Sequence, residues 1–181
     1  GYRQPKIVHW QTGYMDDEPT AQTILQMREQ GTLFSLEPVL LDVGWWKDSQ
    51  PMFLELFRQV DIVTPDFPAA AALAKKDGTL EVMKHWMTLG PRVVALRDGA
   101  HGSYIWDREE DVVWHIPIVP VELADPTGAG NAYGPAKQAG CCGSISASYL
   151  VKSVGIPTFS REMESEAHDL LPRLLENVTR L

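Results

Sequence analysis

Cysteine is almost missing from this chain: Cys141 and Cys142 are the only two among 181 residues. They are adjacent, and neighbours in sequence rarely bridge, so nothing implies an oxidising compartment. The pair reads as small buried residues of a packed helix rather than a metal or redox site. Long apolar runs are missing too. No stretch reaches membrane-spanning length and the N-terminus does not read as a signal peptide, so the expectation is a cytoplasmic protein with no membrane partner. Positive charge is scarce: 16 Lys and Arg against 24 Asp and Glu leave a formal charge of -8. With no long basic run, general nucleic-acid or anionic-membrane binding is not expected. His9, His85, His101, His115 and His168 share no metal-ligand spacing with one another or with the cysteines, so no zinc site is expected.

What is present suits one globular domain spanning residues 1–181, because 44% hydrophobic residues without a low-complexity run can bury a substantial core. Pro5–Trp10 reads as a strand, and Ala21–Gln30 as a helix that Asp16-Asp17-Glu18, Pro19 and Thr20 introduce and Gly31 ends. Phe34–Val43 reads as extended, Gln50–Gln59 as a helix, and Val60–Pro65 as a buried strand stopped by proline. Helices follow over Asp66–Lys76 and Leu80–Leu89, then a strand over Arg92–Leu96. Ser103–Trp106 and Val112–Ile116 make a hairpin. Ser144–Val154 reads as helical, and Glu162–Leu181 as a terminal amphipathic helix with Pro172 as an interruption. Strands alternating with helices imply a mostly parallel sheet covered on both faces, a three-layer α/β/α domain. Ligands in such folds gather at the carboxyl ends of the strands.

One stretch carries chemistry at such a place. Asp125-Pro126-Thr127-Gly128-Ala129-Gly130-Asn131-Ala132-Tyr133-Gly134 lies between an extended segment and a run able to form a helix. Its amides would collect at a helix N-terminus and meet negative charge. Gly128 and Gly130 leave the amides open to a phosphate or carboxylate, Thr127 adds a hydroxyl, and Asn131 faces the bound group.

Asp-Pro-Thr-Gly-Ala-Gly-Asn-Ala resembles the C-terminal signature of the PfkB/ribokinase family of sugar and nucleoside kinases, usually Asp-Thr-x-Gly-Ala-Gly-Asp-x-Phe. The resemblance continues through Val60–Pro65 with Asp66-Phe67-Pro68-Ala69, similar to a strand followed by Pro-Asn-x-x-Glu. It also includes Gly99-x-x-Gly102-Ser103, similar to the turn bordering the nucleotide site. Phe34–Trp46 is similar to the strand and following stretch of the sugar-kinase core. The resemblance implies a ribokinase-like fold, ATP and magnesium as cofactors, and an anion hole formed by Thr127, Gly128, Ala129 and Gly130. It also implies nucleotide contacts from Gly99, His101 and Gly102, and the family's proton-accepting position at residue 131.

Three departures shape the functional expectation. Residue 131 is Asn, and a carboxamide keeps the shape of a carboxylate but accepts no proton near neutral pH. The family's magnesium-organising Glu is matched by Ala69 and its Asn by Asp66, leaving Asp66 or Asp125 as the carboxylates able to compensate. The family's Gly-Gly sugar-binding portion has no counterpart before Gly1, so a truncated domain is expected, with a homo-oligomer or a partner chain covering the open sheet. The expectation is a degenerate sugar-kinase-like protein without efficient phosphoryl transfer, whose small-molecule pocket is kept or turned to isomerase, cyclase or lyase chemistry. The alternatives are an active ATP-dependent kinase completed by a partner chain and a non-catalytic oligomeric or regulatory subunit. Trp10 with Trp45-Trp46 is the candidate lining of a new pocket or interface.

Overall fold

The computed structural model describes residues 4–11, 18–38, 57–125, 137–155 and 157–181. Two compact units divide the chain, Gly1–Val94 and Ala95–Leu181.

In the first unit, strand β1 (Ile7–Gln11) runs parallel to β2 (Leu33–Glu37), with Ile7 opposite Leu33 and Gln11 opposite Glu37. Strand β3 (Ile62–Val63) is parallel to β2, and β4 (Val93–Arg97) begins in this unit parallel to β3. Parallel neighbours need a crossover, and helices supply it. Helix α1 (Glu18–Glu29) joins β1 to β2, starting three residues before the expected Ala21. It gives way at Gly31, whose φ of 94° is left-handed backbone that glycine adopts without strain.

The strand expected over Val60–Pro65 is shorter than its β-branched residues suggested. Asp61 bonds both neighbours through its backbone, its N–H to the Phe34 carbonyl and its carbonyl to the Val93 N–H, each at 2.9 Å, while its carboxylate accepts the Phe34 N–H at 2.8 Å and lies 3.3 Å from the Arg28 guanidinium. After Val63 the Thr64 N–H still donates to Leu36 at 2.9 Å, and Pro65 has no N–H to continue. Helices α2 (Phe67–Ala74) and α3 (Thr79–Thr88) follow close to where the sequence put them. The Trp86 indole N–H donates to the Ala70 carbonyl at 3.2 Å, and Phe57 meets the Trp86 ring edge-on at 5.2 Å. With Phe34, Leu36 and Val63, these rings form a core closed to water. The expected helix Gln50–Gln59 and the far half of the Phe34–Val43 run lie largely outside the described residues, as do Trp45 and Trp46.

In the second unit the expected hairpin is present: β5 (Ser103–Asp107) and β6 (Val112–Ile116) pair antiparallel, Ser103 opposite Ile116 and Asp107 opposite Val112. Its Arg108–Asp111 turn binds the hairpin's indoles. The Trp106 indole donates to Asp111 at 3.2 Å and the Trp114 indole to Glu110 at 3.1 Å.

Two expectations for the helices are corrected. Helix α4 spans Lys137–Leu150 rather than Ser144–Val154. Gly140 sits inside it because the helix packs so close to the hairpin that a Cβ there would run into Ile105 and lie 3.1 Å from Ile116. Helix α5 spans Arg161–Glu176, runs through Pro172 without ending, and stops short of the C-terminus. The last residues instead form β7 (Thr179–Arg180), antiparallel to β6. Ser160 caps α5 through its hydroxyl, and the Tyr149 hydroxyl donates to the Met163 carbonyl at 3.1 Å, tying α4 to α5. Cys141 is buried as expected, whereas Cys142 is exposed. The pairings from β1 to β4 are parallel and those from β5 to β7 antiparallel, and no described helix is long and apolar enough to cross a membrane.

Candidate nucleotide-binding turn and its neighbours

At the carboxyl end of β4 the chain makes one tight turn, Gly99–His101, before entering β5. Asp98 N–H donates forward to the Gly102 carbonyl at 2.8 Å, and His101 N–H donates back to the Asp98 carbonyl at 2.9 Å. Gly99 and Gly102 stand at φ 50° and 89°. At Gly102 a side chain is excluded twice over, because an added Cβ would also run into the Ile116 carbonyl. From behind, the His115 Nε2–H donates to the His101 carbonyl at 2.8 Å, and the Tyr104 ring stacks on His115 at 4.9 Å. The backbone of the turn is therefore held from both sides while the His101 side chain, 77% exposed, projects into water.

His101 Nδ1 lies 3.5 Å from a carboxylate oxygen of the largely buried Asp98. That contact orients the imidazole when it is protonated, and leaves Nε2 to meet an anion or exchange a proton. Ser103 is fully buried beside the turn, and its hydroxyl has no hydrogen-bond partner among the described residues. Gly99, His101 and Gly102 are thus held together in one turn.

Asp66 belongs to the other unit. Its carboxylate Oδ1 accepts the Ala69 N–H at 2.9 Å, so the residue is the N-cap of α2. Ala69 itself is buried and packs only a methyl group where the resemblance calls for a carboxylate. No three His, Cys, Asp or Glu side chains among the described residues converge as metal ligands.

Asp125 is partly buried, and its N–H shares the Val151 carbonyl with that of Ala124, at 3.2 and 2.8 Å. This fastens the chain to the end of α4 just before the glycine stretch. Thr127, Gly128, Ala129, Gly130 and Asn131 lie outside the described residues.

A polar cluster on β1 and β2 was not visible in the sequence. His9 Nδ1 is 2.9 Å from the Ser35 hydroxyl and Nε2 is 3.6 Å from the Glu37 carboxylate. Ser35 and Glu37 share one face of β2, and His9 is the register partner of Ser35. The signal was the parallel register, which the sequence does not print. On the opposite face Val8 and Trp10 join Ile24 and Met27 of α1 around a cavity of about 510 Å³. Trp10 borders this cavity, while Trp45 and Trp46, the other two rings of that candidate lining, lie outside the described residues.

These features sit in a chain whose residues 3–133 match the model of the pfkB family of carbohydrate kinases. The chain belongs to that family. An ATP-dependent 6-phosphofructokinase of Thermoanaerobacterium thermosaccharolyticum is 25% identical over 134 residues, covering 71% of this chain and 41% of the relative. The aminoimidazole riboside kinase of Salmonella enterica, solved with aminoimidazole riboside and an ATP analogue, superposes with a TM-score of 0.74 at 19% identity. The match covers 90% of this chain and 63% of that one. An E. coli protein assigned as a ribokinase II, solved with ATP and Mg2+, gives a TM-score of 0.66 at 17% identity, covering 91% and 59%. The pfkB chain described here thus has the ribokinase-like α/β fold, and spans about two fifths of the length of the curated relative it matches.

Proposed function

We propose that this pfkB-family chain is a degenerate sugar-kinase-like protein that binds a phosphate-bearing small molecule and transfers phosphate poorly or not at all. The observation that carries this reading is Asn131 at the family's proton-accepting position. A carboxamide can donate a hydrogen bond to a ligand hydroxyl and hold it, but cannot remove its proton near neutral pH. The geometry around Asp66 supports the same reading: its carboxylate is engaged as a helix cap, and Ala69 offers no oxygen. In this proposal the amides of Thr127, Gly128, Ala129 and Gly130 hold the anion, Asp125 fixes the entry to that stretch, and Gly99, His101 and Gly102 border a nucleotide.

A second reading is an active ATP-dependent kinase completed by a partner chain, supported by the family the chain belongs to. Purified protein with ATP, magnesium and a panel of sugars and nucleosides separates the two. Binding of an ATP analogue with turnover at background supports the proposal. Turnover appearing only in Asn131→Asp identifies the missing base, with an expected gain of at least about a hundredfold. Ordinary turnover by the unaltered chain overturns it.

A further inference from the structure

In the turn after β4, the peptide joining His101 to Gly102 is the one most easily turned over. Gly102 stands at φ 89° and ψ -141°, a region open to glycine, which takes φ of either sign, so this peptide plane keeps its direction only if its ends are held. Its N–H donates to the Gly99 carbonyl at 3.2 Å, at the long end of the range for such bonds. Its carbonyl is held from outside the turn. His115, on β6, meets it through Nε2 at 2.8 Å, and because a carbonyl only accepts, the imidazole proton sits on Nε2. Two neighbours aim that ring. Tyr104, the register partner of His115, stacks on it at 4.9 Å with 30° between the planes, and the bare Cα of Gly102 admits it, since a Cβ there would stand 3.3 Å from Nε2. All of these groups belong to the second unit.

We propose that His115 is a positioning residue for the ligand of this turn: its imidazole holds the His101 carbonyl toward β6 and so keeps the turn in the arrangement that a nucleotide borders. The proposal rests on the reading that Gly99, His101 and Gly102 border a nucleotide, and goes beyond it by assigning the side chain that holds them. Without the Nε2–H, the peptide between His101 and Gly102 can turn over. The Gly102 N–H then leaves the Gly99 carbonyl, and the His101 oxygen, no longer taken up by a donor, repels an anion brought up to the turn. The His101 imidazole follows its own backbone and loses its place beside Asp98, which it now meets at 3.5 Å. The competing role for His115 is packing alone, a flat ring laid on Tyr104 between two strands. The two roles separate chemically, because the stack needs a flat ring and the bond needs the Nε2 proton.

The test measures the Kd of a β,γ-imido analogue of ATP, beside Tm, for the whole 181-residue chain and two variants. His115→Phe keeps a ring for Tyr104 and loses the donor, and weakens binding by about five- to tenfold. His115→Gln gives up the stack but keeps an N–H at about the reach of Nε2, and stays within about twofold of the unaltered chain. Packing alone gives another pattern: His115→Gln falls further in Tm than His115→Phe, and neither falls selectively in affinity. Should His115→Phe fail to fold, the unaltered chain decides. Nitrogen NMR of its imidazole shows the Nε2–H tautomer, and because coupling is reciprocal, the analogue slows exchange of that proton. A His115→Phe chain that binds as tightly as the original overturns the assignment of His115 and leaves the nucleotide reading standing. So does a His115→Gln chain as weak as His115→Phe, and so does an Nε2 proton whose exchange ignores the analogue. An unaltered chain that does not bind the analogue overturns both.

Discussion

The turn after β4 and the turn after β3 have kept opposite things. After β4, Gly99 and Gly102 are the residues the family resemblance calls for, and the geometry demands them, since no side chain fits at Gly102. After β3, the helix start survives while the residues have changed: Asp66 caps α2, and Ala69 fills core space. Packing alone demands the glycine at position 102, whereas nothing in the packing around Ala69 calls for a carboxylate, which only a ligand would require.

Three substitutions press on that contrast, the largest effect first. Gly102→Ala places a Cβ on the Ile116 carbonyl in left-handed backbone and should cost about 3 kcal/mol or more, read as a large fall in Tm by calorimetry. A loss under about 1 kcal/mol would mean that the turn relaxes and that its glycine is retained for a ligand alone. Asp66→Ala removes one cap and should cost about 1 kcal/mol in denaturant unfolding, with the same loss in the presence and absence of magnesium. A loss that magnesium enlarges would restore a metal role to Asp66.

The smallest effect is a pH slope. Burial, followed by the charge of Lys76, holds the His85 pKa below its ordinary value. A folded-state pKa below the unfolded one means that the unfolded chain binds the proton more readily. The stability this group contributes is therefore complete above the ordinary histidine range and fades as pH falls through the folded value. His85→Gln should flatten that part of the stability profile between about pH 7 and 5. An unchanged slope would assign the acid sensitivity elsewhere.

Much of the fold was legible because local chemistry and tertiary packing agreed. Asp66 and Pro68 announce α2, and the β-branched run Val112–Ile116 announces its strand. Where they disagreed, packing prevailed. The helix expected from Ser144 begins at Lys137 instead and runs through Gly140, where close approach to Ile105 and Ile116 leaves no room for a side chain. Val60–Pro65 reads as a six-residue strand, yet only Ile62–Val63 form one, and Pro65 has no N–H to carry it further. Thr179-Arg180 becomes a strand only because β6 offers an edge, which no two-residue pattern can signal. Of the site, the Gly99–Gly102 turn was legible from its glycines. The His9–Ser35–Glu37 cluster was not, since strand register is set by pairing rather than by spacing along the chain.

The unequal surroundings of the two thiols on α4 have a practical consequence. Burial, with Cys142 adding to it and Lys137 opposing, pushes the Cys141 thiol up to about 11, so at mildly alkaline pH it is overwhelmingly protonated as well as hidden. A maleimide dye would therefore attach to Cys142 alone, five positions into the helix that follows the glycine stretch. Without any engineered cysteine, the fluorophore would report on the surroundings of that helix.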